Sequence, residues 1–261
     1  MQMHSTTIGD AGLPDVVMAH GWDRTHADFI LAAESLAPVA RCHLLDLPGF
    51  GASPRPEASW GTADYADFVA EEMQQRLGRP FLWVGHSLGG RIGLRLGVHH
   101  GRALTGLVLV APAGVPRRRS EWQKLRGDLR GAKFRFLRKR AKDEAEVIEL
   151  EKKYGSIDYV HSRETGLRDI FLNTVNEDQS LDIGRITTPT AMVFGAEDSE
   201  TPPELGARMQ RLIPGASLTV VPGLDHISVL FRGRHQMAAI VKDMLRETGQ
   251  MAPQGGQGAA Q

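Results

Sequence analysis

The sequence predicts an α/β fold: a mostly parallel, doubly wound sheet with a helical insertion. Two observations carry this. Short β-rich runs alternate with amphipathic helical patterns along most of the chain, and the stretch 114–186 passes without a convincing strand. Strands are predicted at 15–19, 41–45, 81–84, 106–110, 190–194 and 218–221. They are almost continuously apolar rather than alternating, as strands covered by helices on both faces must be. Helices are predicted at 27–36, 63–77, 91–99, 203–212 and 235–247, where apolar residues recur at three-to-four spacing. No internal repeat is present.

Composition sets the class. At 261 residues, 41% hydrophobic and 24% charged, the chain can bury a full core, and neither a disordered nor a membrane-embedded protein fits. Lys plus Arg equals Asp plus Glu at 31 each, so no net charge draws the whole molecule to nucleic acid or membrane. A basic-then-apolar leader and any 18-residue apolar run are missing from the sequence, and a cytoplasmic location is expected. Cys42 is the single cysteine; it has no disulfide partner within the chain and sits in an apolar strand as a small core side chain. The ten histidines show no zinc-like spacing, so no metal is expected. The Gly-, Gln- and Ala-rich tail 251–261 is expected to be disordered.

The chemistry is carried by Gly85-His86-Ser87-Leu88-Gly89, between the strand at 81–84 and the helix at 91–99. A serine hydroxyl is a poor nucleophile unless it is held clear of the packed interior beside a base. A sharp strand-to-helix turn does that, with glycine wherever the backbones crowd. The helix start also aims free N–H groups at the point where negative charge will develop. Downstream, Asp198 follows the strand at 190–194 and His226 follows the last strand. Loops at the carboxyl edge of a parallel sheet converge on one crevice, so Ser87, Asp198 and His226 are the predicted catalytic residues. Glu197, Glu200 and Asp225 are rivals for the acid role, ranked lower.

With these residues in view, the chain resembles the α/β-hydrolase superfamily over 15–112 and 187–247. Its marks are His20-Gly21-Trp22, the run from Asp46 through Pro48-Gly49-Phe50-Gly51 to Ser53, the serine turn, and the Asp198 and His226 loops. The resemblance implies an α/β-hydrolase core at 1–113 and 187–250, a helical cap at 114–186, and no cofactor. It also implies an oxyanion hole from the backbone N–H groups of Trp22 and Leu88, with His20 shaping its loop. Ser87 stands where dehalogenases and epoxide hydrolases of the superfamily carry Asp, which argues against those chemistries. Only fourteen residues precede the strand at 15–19, so the first strand of the family's usual hairpin is expected to be missing or vestigial.

The cap's charge is its most unusual property. Residues 117–142 hold twelve Lys/Arg and two acids, and 143–178 hold ten acids and four bases. Either the basic half receives an acidic carrier protein or a phosphate-bearing acyl carrier, or the two halves neutralise each other, and the second is the simpler expectation. Trp122, Leu125, Leu129 and Phe136 are spaced to lay an apolar stripe over the active site. The predicted function is a serine hydrolase acting on an ester or thioester through an acyl-enzyme. One alternative is hydrolysis of a carbon–carbon bond in a vinylogous diketone acid, with Arg91, Arg117, Arg118 or Arg119 available for a carboxylate or partner. Another is a ligand-binding or signalling protein with vestigial turnover. Nucleic-acid binding lacks a supporting motif.

Overall fold

The computed structural model describes residues 1–117 and 120–251. Among these residues seven strands form one sheet: β1 (Ser5–Ile8), β2 (Asp15–Ala19), β3 (Arg41–Leu45), β4 (Phe81–His86), β5 (Leu104–Val110), β6 (Thr190–Gly195) and β7 (Ser217–Val221). Their spatial order is β1-β3-β2-β4-β5-β6-β7, with every pair parallel except β1 and β3. The α/β-hydrolase fold read from the sequence is therefore the observed one.

Alternation within each strand explains why these runs are apolar throughout. Val17, Trp83, Leu107 and Leu109 pack on one face, against α2 (Thr62–Leu77), α3 (Leu88–His99) and α8 (Pro203–Leu212). Val16, Leu82, Val108 and Val193 pack on the other, with α1 (Ile30–Leu36) and α10 (Arg234–Glu247). Each buried Leu, Ile or Val contributes roughly 1.5–3 kcal/mol by leaving water, so two full faces hold the central strands in place. Cys42 lies fully buried in β3, and burial pushes its thiol up to about 12, so it stays protonated.

Of the family's usual two-strand N-terminal hairpin, a single strand precedes β2 among the described residues, in line with the short N-terminal stretch: it is β1. It pairs antiparallel with β3 through four residues at the sheet edge. Ser5-Thr6-Thr7-Ile8 is too polar and short to stand out in sequence. Arg76 fastens it, donating to the Met3 carbonyl at 2.5 Å and to Ser5 Oγ at 2.7 Å.

Between β5 and β6 lie four α-helices among the described residues: α4 (Glu121–Arg140), α5 (Glu144–Tyr154), α6 (Ile157–Glu164) and α7 (Arg168–Val175). A short α9 (Ser228–Phe231) follows the His226 loop. The apolar stripe of α4 does not cover the active site: Trp122, Leu125, Leu129 and Phe136 are exposed, Trp122 to 75%. Phe134 instead turns toward Tyr154 of α5, so the helix packs through a different edge. Polar contacts pin the far end of this region. Arg95 of α3 binds Glu177 at 2.7 Å and Asp182 at 2.9 Å, and buried Gln179 donates to Thr62 Oγ1 at 2.9 Å. Among the described residues no helix is long and apolar enough to cross a membrane. Met251 caps α10 through its amide to the Leu245 carbonyl; the rest of the tail expectation lies outside the described residues.

Candidate active site

Ser87 sits between β4 and α3 with φ of +48°, a conformation that costs about 1–3 kcal/mol in a non-glycine residue. The turn is forced by close packing. A Cβ on Gly85 would lie 2.2 Å from the Gly89 carbonyl oxygen, and one on Gly89 would lie 2.2 Å from that of Ala19. Both glycines of the motif are thus required by neighbouring backbone. The Ser87 amide donates to Val110 O at 3.0 Å, which ties the turn to β5.

The His226 ring is nearly buried, and its Nδ1 lies 2.8 Å from Asp198 Oδ2. A carboxylate there fixes the proton on Nδ1, so Nε2 keeps the lone pair that a general base needs. Asp198 is fully enclosed. Its Oδ1 accepts from the amides of Glu200 and Thr201, each at 2.8 Å, and the Thr201 hydroxyl stands 2.9 Å from Oδ2. That hydroxyl is also 3.1 Å from His226 Nδ1 and from the Ala111 carbonyl. Sequence reasoning missed Thr201, although a residue three positions after a loop aspartate is a natural partner for its carboxylate.

Ser87 and His226 line one cavity of about 420 Å³. The loop after β2 forms one wall, with Gly21, Trp22, Asp23 and Arg24. Trp22 is clamped edge-on between Phe50 and Phe171, both 5.0 Å away, which joins this loop to α7. His20 braces it from behind: Nδ1 donates to the Gly21 carbonyl at 2.7 Å and Nε2 accepts from the Leu47 amide at 3.0 Å. Burial lowers its pKa to about 4, so it stays neutral. Ser156, Ile157 and Asp158, at the start of α6, supply the opposite wall.

Other predicted residues fall elsewhere. Arg91 donates to the Thr174 carbonyl at 2.6 Å and, with Arg117, borders a second cavity rather than the one holding Ser87. Arg117 also lies 3.6 Å from Glu204; Arg118 and Arg119 lie outside the described residues. Of the rival acids, Asp225 caps the turn before α9, accepting from the Ser228 amide at 2.7 Å. Glu197 is exposed, and Glu200 sits on the other side of the imidazole, 3.6 Å from Nε2. One group of possible metal ligands escaped the sequence because it is assembled from three segments: His4, His26 and Asp46. Both imidazoles already face the carboxylate at hydrogen-bond distance, 3.0 and 2.9 Å, and the amides of His26 and Ala52 complete its shell. It serves as a hub for the loop after β3.

Residues 16–240 match the alpha/beta hydrolase family. The chain belongs to that family. This hydrolase is 30% identical to a pimeloyl-[acyl-carrier protein] methyl ester esterase from Chromobacterium violaceum over 258 residues, 94% of this chain and 98% of the relative. Its fold is shared with a thermophilic esterase from Thermogutta terrifontis, at TM-score 0.69 and 21% identity over 94% of this chain and 93% of that one. It is shared equally with a meta-cleavage product hydrolase from Pseudomonas fluorescens IP01, at TM-score 0.69 and 19% identity over 94% of both chains. The family and the esterase relative make this chain an ester-hydrolysing enzyme.

Proposed function

We propose that the enzyme cleaves a carboxylic ester through an acyl-enzyme, with Ser87 as nucleophile, His226 as general base and then acid, and Asp198 orienting the imidazole. The observation that carries this is the His226–Asp198 bond of 2.8 Å beside a serine held at positive φ in the same cavity. The Ser87 oxygen attacks the ester carbon while its proton passes to Nε2. That proton then leaves with the alcohol, and water activated by the same nitrogen releases the acid. Trp22 and Leu88 N–H groups form the oxyanion hole; a single such donor is typically worth about 3 kcal/mol of barrier lowering. The helices of 114–186 act as the cap and the remainder as the core, and the enzyme works in the cytoplasm.

The acyl group reaches the site on an acyl carrier protein, as in the relative's name, with a methyl ester as the bond cleaved. The basic face of α4 supports a carrier. Among the described residues, no ion pair joins a Lys or Arg of 126–142 to an acid of 143–178; Glu144, Glu149 and Glu151 pair instead with Arg163, Lys152 and Arg168, and Glu177 pairs with Arg95. Carbon–carbon hydrolysis of a carboxylate-bearing substrate fits less well. Arg24, which lines the Ser87 cavity, is committed to Asp28, and Arg91 borders the other cavity.

A fluorophosphonate probe followed by peptide mapping tests the assignment: the label is expected on Ser87, and Ser87→Ala should lose both labelling and turnover while keeping the fold. Unchanged hydrolysis by that variant overturns it.

A further inference from the structure

Three carboxylates line the Ser87 cavity, each from a different part of the chain: Asp23 after β2, Asp158 in the first turn of α6, and Glu200 after β6. Glu200 Oε2 stands 3.6 Å from His226 Nε2, the atom that handles the reaction's proton. Asp23 is held at 2.7 Å by His161 of α6, whereas Asp158 makes no ion pair among the described residues. Burial and then neighbouring Asp23 raise the Asp158 pKa, while His161 and His226 oppose them.

No free cation offsets these charges among the described lining residues. The Arg24 guanidinium is spent on Asp28, donating through Nη2 at 2.6 Å and through Nε, and lies over the Phe231 ring. The cavity wall also carries His86, fully buried. Its Nε2 donates to the His226 carbonyl at 3.0 Å, so Nδ1 bears a lone pair, and Nδ1 is buried with no partner. Burial first, and then His226, hold this imidazole neutral. Apart from the committed Arg24, the buried His86 and the reacting Ser87–His226 pair, the polar side chains of the wall are one hydroxyl, Ser156, the Trp22 indole and three carboxylates, beside apolar Ile157 and Ile227.

We infer that the site selects uncharged esters and rejects molecules carrying a free carboxylate near the scissile bond, with Glu200 and Asp158 as the specificity-determining residues. The inference rests on the ester-hydrolase reading above. Hydrolysis of a neutral ester consumes one water, breaks the acyl–oxygen bond, returns the alcohol with a proton, and leaves a carboxylic acid that ionises to carboxylate and a proton at neutral pH. The reaction thus converts a ligand the cavity accepts into one it repels, so product leaves and a diester is cut once. Enzymes acting before this one must supply the carboxyl group masked as an ester, and those after it take the free acid.

Dimethyl and monomethyl succinate test this, with release of acid followed by titration; the short spacer keeps the second carboxyl group inside the cavity. kcat/KM for the diester should exceed that for the half-ester by about tenfold or more, given the strength of like charges about 4 Å apart. The half-ester should accumulate. Glu200→Gln and Asp158→Asn should each shrink that ratio several-fold, whatever they do to the absolute rate, and added salt should narrow it. Equal kcat/KM for the two esters, or a ratio unchanged in both variants, overturns the inference and leaves the ester reading standing. Failure to hydrolyse either ester, or hydrolysis that survives Ser87→Ala, overturns the ester reading and this inference with it.

Discussion

At the scale of single residues, the site depends on side chains whose hydrogen bonds leave little freedom. Thr201 is the informative one, because its hydroxyl reaches Asp198, His226 and the Ala111 carbonyl at once. In the proposed mechanism it is a positioning residue. Thr201→Val should lower kcat by about tenfold through the lost hydrogen bond to a charged group, with a smaller change in KM, and Thr201→Ser should restore most of the loss. A silent Thr201→Val would show that the two amides on Oδ1 suffice. Asp198→Asn acts more strongly, by removing the acceptor that keeps the His226 proton on Nδ1; a loss of about 10³- to 10⁴-fold in kcat is expected. If Asp225→Asn or Glu200→Gln costs more than Asp198→Asn, the acid has been misassigned. The serine, histidine and aspartate were all legible in sequence, since each ends or follows an apolar strand. Thr201 and the Glu200 contact were not, because which side of an imidazole a loop residue faces is decided by the fold of that loop.

Among elements, the helices between β5 and β6 differ from the core in what holds them. Buried Glu151 of α5 binds Arg168 at 3.0 Å and Arg163 at 3.2 Å, and Arg168 stacks over Tyr159 at 3.7 Å. A polar knot thus stands where a core helix would carry leucine. Glu151→Ala leaves two guanidiniums without their shared anion, which typically costs about 3–5 kcal/mol for a buried pair and less here, where Arg163 is partly exposed. The expected outcome is local: faster proteolysis within 121–165, with the core's urea midpoint little changed. Cooperative loss of the whole fold would mean that these helices and the sheet unfold as one unit. Their boundaries were hard to read for the same reason. Gly127 and Gly131 lie inside the unbroken α4 and weaken its helical signal, arginines occur around most of its circumference, and α6 and α7 have only eight residues each. Core strands, by contrast, announce themselves by burial on both faces.

For the whole molecule, buried neutral histidines set the response to acid. His20 is held at about 4 by burial, and His86 is pushed well below its ordinary value. Both groups bind protons more readily when unfolded, so stability is full above roughly pH 6.5 and falls as pH drops toward 4; His20 alone contributes about 3 kcal/mol over that window. Urea midpoints measured from pH 7.5 to 4.5 should decline steadily, and a flat profile would mean that the two imidazoles are hydrated. Glu177 adds to the loss at lower pH: burial raises its pKa, but Thr62, Gln179 and Arg95 outweigh that and leave it depressed, so its contribution disappears below the usual carboxylate range. The charge on α4 gives a second whole-molecule prediction. Arg126→Glu with Lys133→Glu should lower kcat/KM for a carrier-borne ester and flatten its salt dependence, while a small free ester is spared. Equal effects on both esters would remove the carrier from the proposal.

Six of the seven strands, the parallel character of their pairing and the three candidate catalytic residues could be read from residue order, because burial on two faces and a forced turn both write themselves into local residue choice. Gly85 and Gly89 are unavoidable where backbones approach to 2.2 Å, and no distant residue can relieve that. Tertiary structure alone decided what surrounds them: that β1 pairs at the edge, that α4 turns its apolar stripe to solvent, that Arg91 ties α3 to the end of α7, and that Asp23, Asp158 and Glu200 meet beside Ser87. These depend on contacts between segments far apart in the chain. Any one carboxylate, read along the sequence, is an ordinary solvated side chain; only when three loops converge on a cavity without a free cation does their shared charge become a property of the site.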